Sequence, residues 1–120
     1  MKGVKGAARK AKEYQACTDA IDALTGLDRT VAQRLHVIVT QEAPQLDAKT
    51  WYGFPSYARD GNVVTFVQPA SKFDTRYKTI GFNEAATLDD GPIWATSFAG
   101  VEWTDVVEEM LRTLVKKATA

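Results

Sequence analysis

The chain has 120 residues, 45% hydrophobic and 25% charged, enough for one globular core and too few for two comfortable ones. Its 15 basic and 15 acidic side chains cancel, and its single cysteine excludes an internal disulfide framework. No apolar run approaches the length of a membrane span or a signal-peptide core, so the sequence predicts a soluble, cytoplasmic protein without membrane partners.

The charge is unevenly placed. Lys2, Lys5, Arg9, Lys10 and Lys12 against Glu13 give residues 1–13 a balance of +4, leaving −4 for residues 14–120. With Gly3, Gly6 and little to bury, residues 1–13 are expected to form a basic flexible tail on a single domain, residues 14–120. Lysines of such a tail could neutralise phosphates, but the acidic body behind it repels a polyanion and argues against a nucleic-acid partner.

The first helix is predicted from about Ala8 to Leu24, its buried face marked by Tyr14, Cys17, Ile21 and Leu24 at three- and four-residue spacing. Asp28 is the expected N-cap of a second helix with the stripe Val31, Leu35, Ile38 and Val39, ended near Glu42 by Pro44. His36 lies beside that stripe, a boundary residue with no metal-ligand spacing around it. Cys17 reads as a small buried apolar residue.

From Lys49 the period becomes alternating. Trp51 to Phe54 and Ser56 to Arg59 are predicted as one proline-interrupted strand, and Asp60-Gly61 as the two-residue turn into Asn62–Gln68. Within that strand Val64 and Phe66 are expected on one face and Val63, Thr65 and Val67 on the other. Residues 70–76 read as a polar loop, Tyr77–Phe82 as a strand, residues 87–92 as a loop and Ile93–Ala99 as the last strand. A C-terminal helix capped by Thr104 should bury Val107, Met110, Leu111 and Leu114. The predicted fold class is α+β: two helices, an antiparallel sheet of about five strands, then a helix, with helices covering one sheet face.

The rings concentrated between Trp51 and Tyr57, broken by Gly53 and Pro55, read as a kinked, partly exposed platform. Trp51, Tyr52, Pro55, Tyr57, Arg76, Tyr77 and Trp94 are the candidate ligand-binding residues, Arg76 because a guanidinium can stack on a ring or meet an anion. No nucleophile-elbow serine, paired carboxylates, phosphate loop or histidine cluster accompanies them, so the reading is a non-catalytic domain that binds a small molecule or a metal ion. The alternative is a structural or interaction domain that uses the same rings as a homodimer or partner interface.

The run Lys49-Thr50-Trp51-Tyr52-Gly53-Phe54-Pro55-Ser56-Tyr57-Ala58-Arg59-Asp60-Gly61, preceded by Leu35-His36 and Ala43-Pro44, resembles the signature of the YdhG-like domain, a bacterial family of unknown function. Phe73-Asp74-Thr75-Arg76-Tyr77, Gly81-Phe82, Leu88-Asp89-Asp90-Gly91 and Trp94 follow in the family's order, and the resemblance covers about residues 28–118. It implies an α+β fold with helices against an antiparallel sheet. Because some relatives are described as frataxin-like intracellular iron chaperones, it also implies iron as a candidate ligand. Iron of that kind is held by exposed carboxylates, for which Asp89 and Asp90 are the candidate pair.

Overall fold

In the computed structural model, which describes the backbone of residues 2–120 and the side chains of residues 6–120, the apolar spacing of the N-terminal half builds α1 (Lys2–Asp22) and α2 (Gly26–Glu42). Helix α1 begins at Lys2 rather than near Ala8, because alanine, lysine and arginine are strong helix formers and carry the helix through the basic segment. The side chains of Lys2 and Lys5 lie outside the described residues. Cys17 and Ile21 of α1 and Val31, Leu35, Ile38 and Val39 of α2 are buried as the periodicity predicts, whereas Tyr14 is exposed. Helix α2 starts after Thr25, with Asp28 inside its first turn, so Asp28 is not the N-cap of its own helix.

Strands β1 (Asp47–Trp51), β2 (Phe54–Arg59), β3 (Asn62–Gln68), β4 (Lys78–Phe82) and β5 (Ser97–Gly100) form an antiparallel meander in the order β1-β2-β3-β4-β5. A short helix, α3 (Ala70–Phe73), joins β3 to β4, and α4 (Asp105–Ala118) closes the chain. The α+β class and the order of two helices, sheet and C-terminal helix agree with the sequence reading, whereas residues 70–73, expected within a polar loop, form α3. Among the described residues, no helix is long and apolar enough to cross a membrane.

The interrupted strand is in fact two strands. Tyr52 and Gly53 both have positive φ, 52° and 79°, and form a two-residue turn that pairs Trp51 with Phe54. Tyrosine seldom occupies that position, which is why the turn is hard to see in sequence. Pro55 fits inside β2 because the ladder to β3 begins one residue later, at Ser56 opposite Phe66. Asp60 and Gly61, at φ 50° and 83°, make the predicted turn into β3.

A register shift beside Tyr57 and Ala58 leaves Val64 as an extra residue on β3. The bulge breaks strict alternation, so Val64 joins Val67 in the core, while Phe66 points to the opposite face, correcting the predicted pairing of Val64 with Phe66. Strand β5 is shorter than expected. Strand β4 ends at Phe82, whose N–H bonds Thr96, and the Asn83 N–H turns away to Val64, so residues before Thr96 have no strand to pair with.

Helices α1, α2 and α4 and one sheet face enclose a core of Cys17, Leu35, Ile38, Tyr57, Val67, Ile80, Leu111 and Val115, among others. The stripe of α4 runs through Leu111, Val115 and Ala118, with Val107 and Leu114 half-buried, while Met110 is exposed against expectation. Thr104 caps α4 as predicted, accepting the Val107 N–H at 3.2 Å. Arg34 and Arg112 tie α2 to α4 through Glu108 and Glu42, at 2.6 Å from Arg34 to Glu108 and 3.3 Å for each Arg112 pair.

Candidate functional site on the open sheet face

The helices leave the other sheet face uncovered at its β1–β3 side, and alternation sends Lys49, Trp51, Phe54, Ser56 and Phe66 to it. Trp51 packs on Tyr52, Phe54 and Phe66 at centroid separations of 4.9, 5.7 and 5.1 Å. Phe73 of α3 meets Phe54 edge-on at 5.6 Å. Lys72 donates from its ammonium to the Gly53 carbonyl at 2.8 Å and so clamps the β1–β2 turn to α3.

Phe66 lies over Gly81 of β4, where a Cβ would overlap its ring. The glycine therefore serves a close approach, which a strand otherwise disfavours. Gly81→Val is expected to lower stability by about 1–3 kcal/mol through overpacking, and by much less in a Phe66→Ala background. A double-mutant cycle measured by urea unfolding checks this. Additive effects would mean that the ring does not occupy the glycine's space.

Beside this cluster runs a groove of about 670 Å³. Lys49 and Trp51 form one rim, Gly61, Asn62 and Val63 lie at the start of β3, and Asn83, Glu84 and Ala85 form the opposite rim. One side of the Trp51 ring is braced by Phe54 and Phe66, which presets its orientation toward the groove. Lys49 makes no ion pair among the described residues, so its ammonium is available to a ligand.

The sequence-predicted platform is divided. Trp51 and Tyr52 belong to the open face, whereas Tyr57 is buried on the helix-covered face and Pro55 is buried within β2. Arg76 and Tyr77 precede β4 and pair with each other, the guanidinium lying 5.5 Å from the ring centre. Trp94 stands half-exposed in the segment before β5 and packs on no other ring among the described residues. The expected common surface of all seven residues is not formed. Alternation explains the loss of Tyr57, since residues at odd spacing along one strand face opposite ways. Lys49, Asn62 and Asn83, which do line the groove, carried no signal in sequence because their convergence depends on strand register.

Asp89 and Asp90 are exposed loop residues, and no three His, Cys, Asp or Glu side chains among the described residues gather in a way that could hold a metal ion. The donors among the described residues do not fit an iron site.

No family model, curated protein or solved structure matches the chain. Its chemistry therefore rests on geometry.

A second cluster lies inside the helix layer. The Tyr57 hydroxyl stands 3.0 Å from His36 Nδ1 and 3.9 Å from the Cys17 sulfur, and His36 Nε2 is 3.2 Å from the Tyr14 hydroxyl. Burial pushes the Cys17 thiol and the Tyr57 phenol up, and holds His36 below its ordinary value. These shifts keep all three groups neutral, which suits a structural hydrogen-bond chain and opposes a reactive thiolate.

Proposed function

We propose that the chain is a non-catalytic, small-ligand-binding domain, and that the groove beside Trp51 is its site. The observation that carries this reading is the braced indole on the open sheet face, lining one groove with Asn62, Asn83 and Lys49, whose ammonium has no ion pair among the described residues. That set suits a small planar ligand with an anionic or carbonyl edge: the ring stacks on Trp51, the edge meets Lys49, and the amides set orientation. A partner interface on the same rings is less favoured. Phe54 is buried and Trp51 and Phe66 are half-buried by one another, so Tyr52, at 75% exposure, offers most of the free ring surface. The ordered motifs around Trp51-Tyr52-Gly53-Phe54-Pro55 support placing the chain with the YdhG-like domains, and the single buried thiol suits a cytoplasmic setting.

Native mass spectrometry of protein purified from cells tests the assignment and also reports oligomeric state. Wild type is expected to retain a small-molecule adduct that Trp51→Ala and Lys49→Ala lose while remaining folded. An adduct that persists in both variants, or a wild type that carries none, overturns the groove as the site.

A further inference from the structure

The two edges of the sheet are protected very differently. Strand β1 has α1 packed along it and presents Asp47 and Lys49, Asp47 pairing with Lys10 at 3.5 Å. Strand β5 is the other edge, and Ser97-Phe98-Ala99-Gly100 contains no charge, proline or bulge of the kind that blunts an edge. The Phe82 N–H donates to the Thr96 carbonyl. Antiparallel alternation then turns the N–H and C=O of Ser97 and Ala99 outward, away from β4.

Next to this edge is a cavity of about 190 Å³ lined by Phe98, Val101, Glu102, Val107, Met110 and Leu111. Its surroundings are apolar and exposed: Val101 at 62%, Val106 at 78% and Met110 at 44%. Glu102 lines the cavity, Asp105 and Glu109 stand in the first two turns of α4, which supplies Val107, Met110 and Leu111 to it, and none of the three carboxylates forms an ion pair among the described residues. Arg76, just before β4, is engaged over the Tyr77 ring. A second copy of the chain brought to this edge about a two-fold axis would set these carboxylates against themselves, which disfavours self-pairing.

We infer that β5 is a docking edge for an extended basic peptide of a partner protein. The peptide adds a strand through the outward backbone groups of Ser97 and Ala99, places an aliphatic side chain in the cavity above Phe98, and sets lysines or arginines against Glu102, Asp105 and Glu109. The edge lies across β4 from the Trp51 groove, so this inference stands independently of the ligand reading.

The test uses the full chain and a fluorophore-labelled peptide of alternating lysine and valine, blocked at both ends, with binding followed by anisotropy at low and high salt. Binding is expected to weaken with salt and to fall about tenfold or more in Glu102→Lys/Glu109→Lys. It should vanish for a peptide in which prolines replace the valines, which keeps the charge and cannot add a strand. Ala99→Pro removes an outward N–H without touching the β4 ladder and should abolish binding while circular dichroism is unchanged. If that variant unfolds, the charge-reversed protein and the proline peptide still decide the matter. Equal binding of the valine and proline peptides, or no effect of charge reversal, overturns the inference. A β5-mediated dimer in sedimentation that Ala99→Pro dissociates overturns it in favour of self-pairing.

Discussion

Asp28→Ala is expected to destabilise the protein by about 3–5 kcal/mol, because it removes one partner from a buried ion pair and strips a helix of its cap. The Asp28 carboxylate accepts the Ala70 and Ser71 N–H groups at 3.1 Å each and the Ser71 hydroxyl at 2.5 Å, and Lys78 Nζ stands 3.9 Å away. It caps α3, a helix 42 residues further along the chain, instead of the helix that contains it. Without the carboxylate the buried Lys78 ammonium loses its counter-charge, so Lys78→Met in the Asp28→Ala background should recover part of the loss. Urea unfolding measures both. A loss below about 1 kcal/mol would show that water replaces the cap.

Burial alone would raise the Asp28 carboxyl, but the Ser71 hydroxyl, the two N–H groups and Lys78 outweigh it and hold the group below the usual carboxylate range. In that range the unfolded chain binds more protons than the folded one. The Asp28 contribution is therefore complete above about pH 5 and is lost as acid is added through about pH 4 and below. Helix α3 also carries Phe73 and Lys72, so the same substitution should loosen the aromatic cluster that braces Trp51.

Tyr57→Ala is expected to cost about 3–5 kcal/mol, since it empties the space of a fully buried ring between α1, α2 and the sheet. Tyr57→Phe keeps the packing and should cost about 1–2 kcal/mol, leaving Cys17 and His36 without their shared oxygen. The network closes when Cys17 donates to Tyr57, Tyr57 to His36 Nδ1, and His36 Nε2–H to Tyr14. Protonating His36 would turn Nδ1 into a donor as well and strand the Tyr57 proton in the core.

Burial depresses His36, so the unfolded chain protonates first as pH falls below about 6.5, and stability declines from there toward the folded-state value. Asp22 and Arg34 share the surface crevice beside His36. Melting temperature measured between about pH 5 and 7 should fall with acid in wild type and flatten in His36→Gln. An equal slope in both proteins would assign the acid sensitivity to other groups.

The helices, the Asp60-Gly61 turn, the Thr104 cap and the α+β class were legible in the sequence, because each rests on local chemistry: apolar periodicity, a glycine at positive φ, a hydroxyl three residues before an orphan N–H. Trp51 and Tyr52 were legible as surface rings for the same reason. What local pattern could not supply was which groups meet across the fold. The β1–β2 turn rests on a tyrosine held at positive φ by its hairpin, and the bulge at Val64 reverses the face of Phe66. Asp28 has the look of an N-cap for its own helix and caps another, since hydrogen-bond acceptance depends on what tertiary packing brings near. The Trp51 groove and the bare β5 edge were likewise decided by strand order and register, which place residues distant in sequence on one face or leave them without a neighbour.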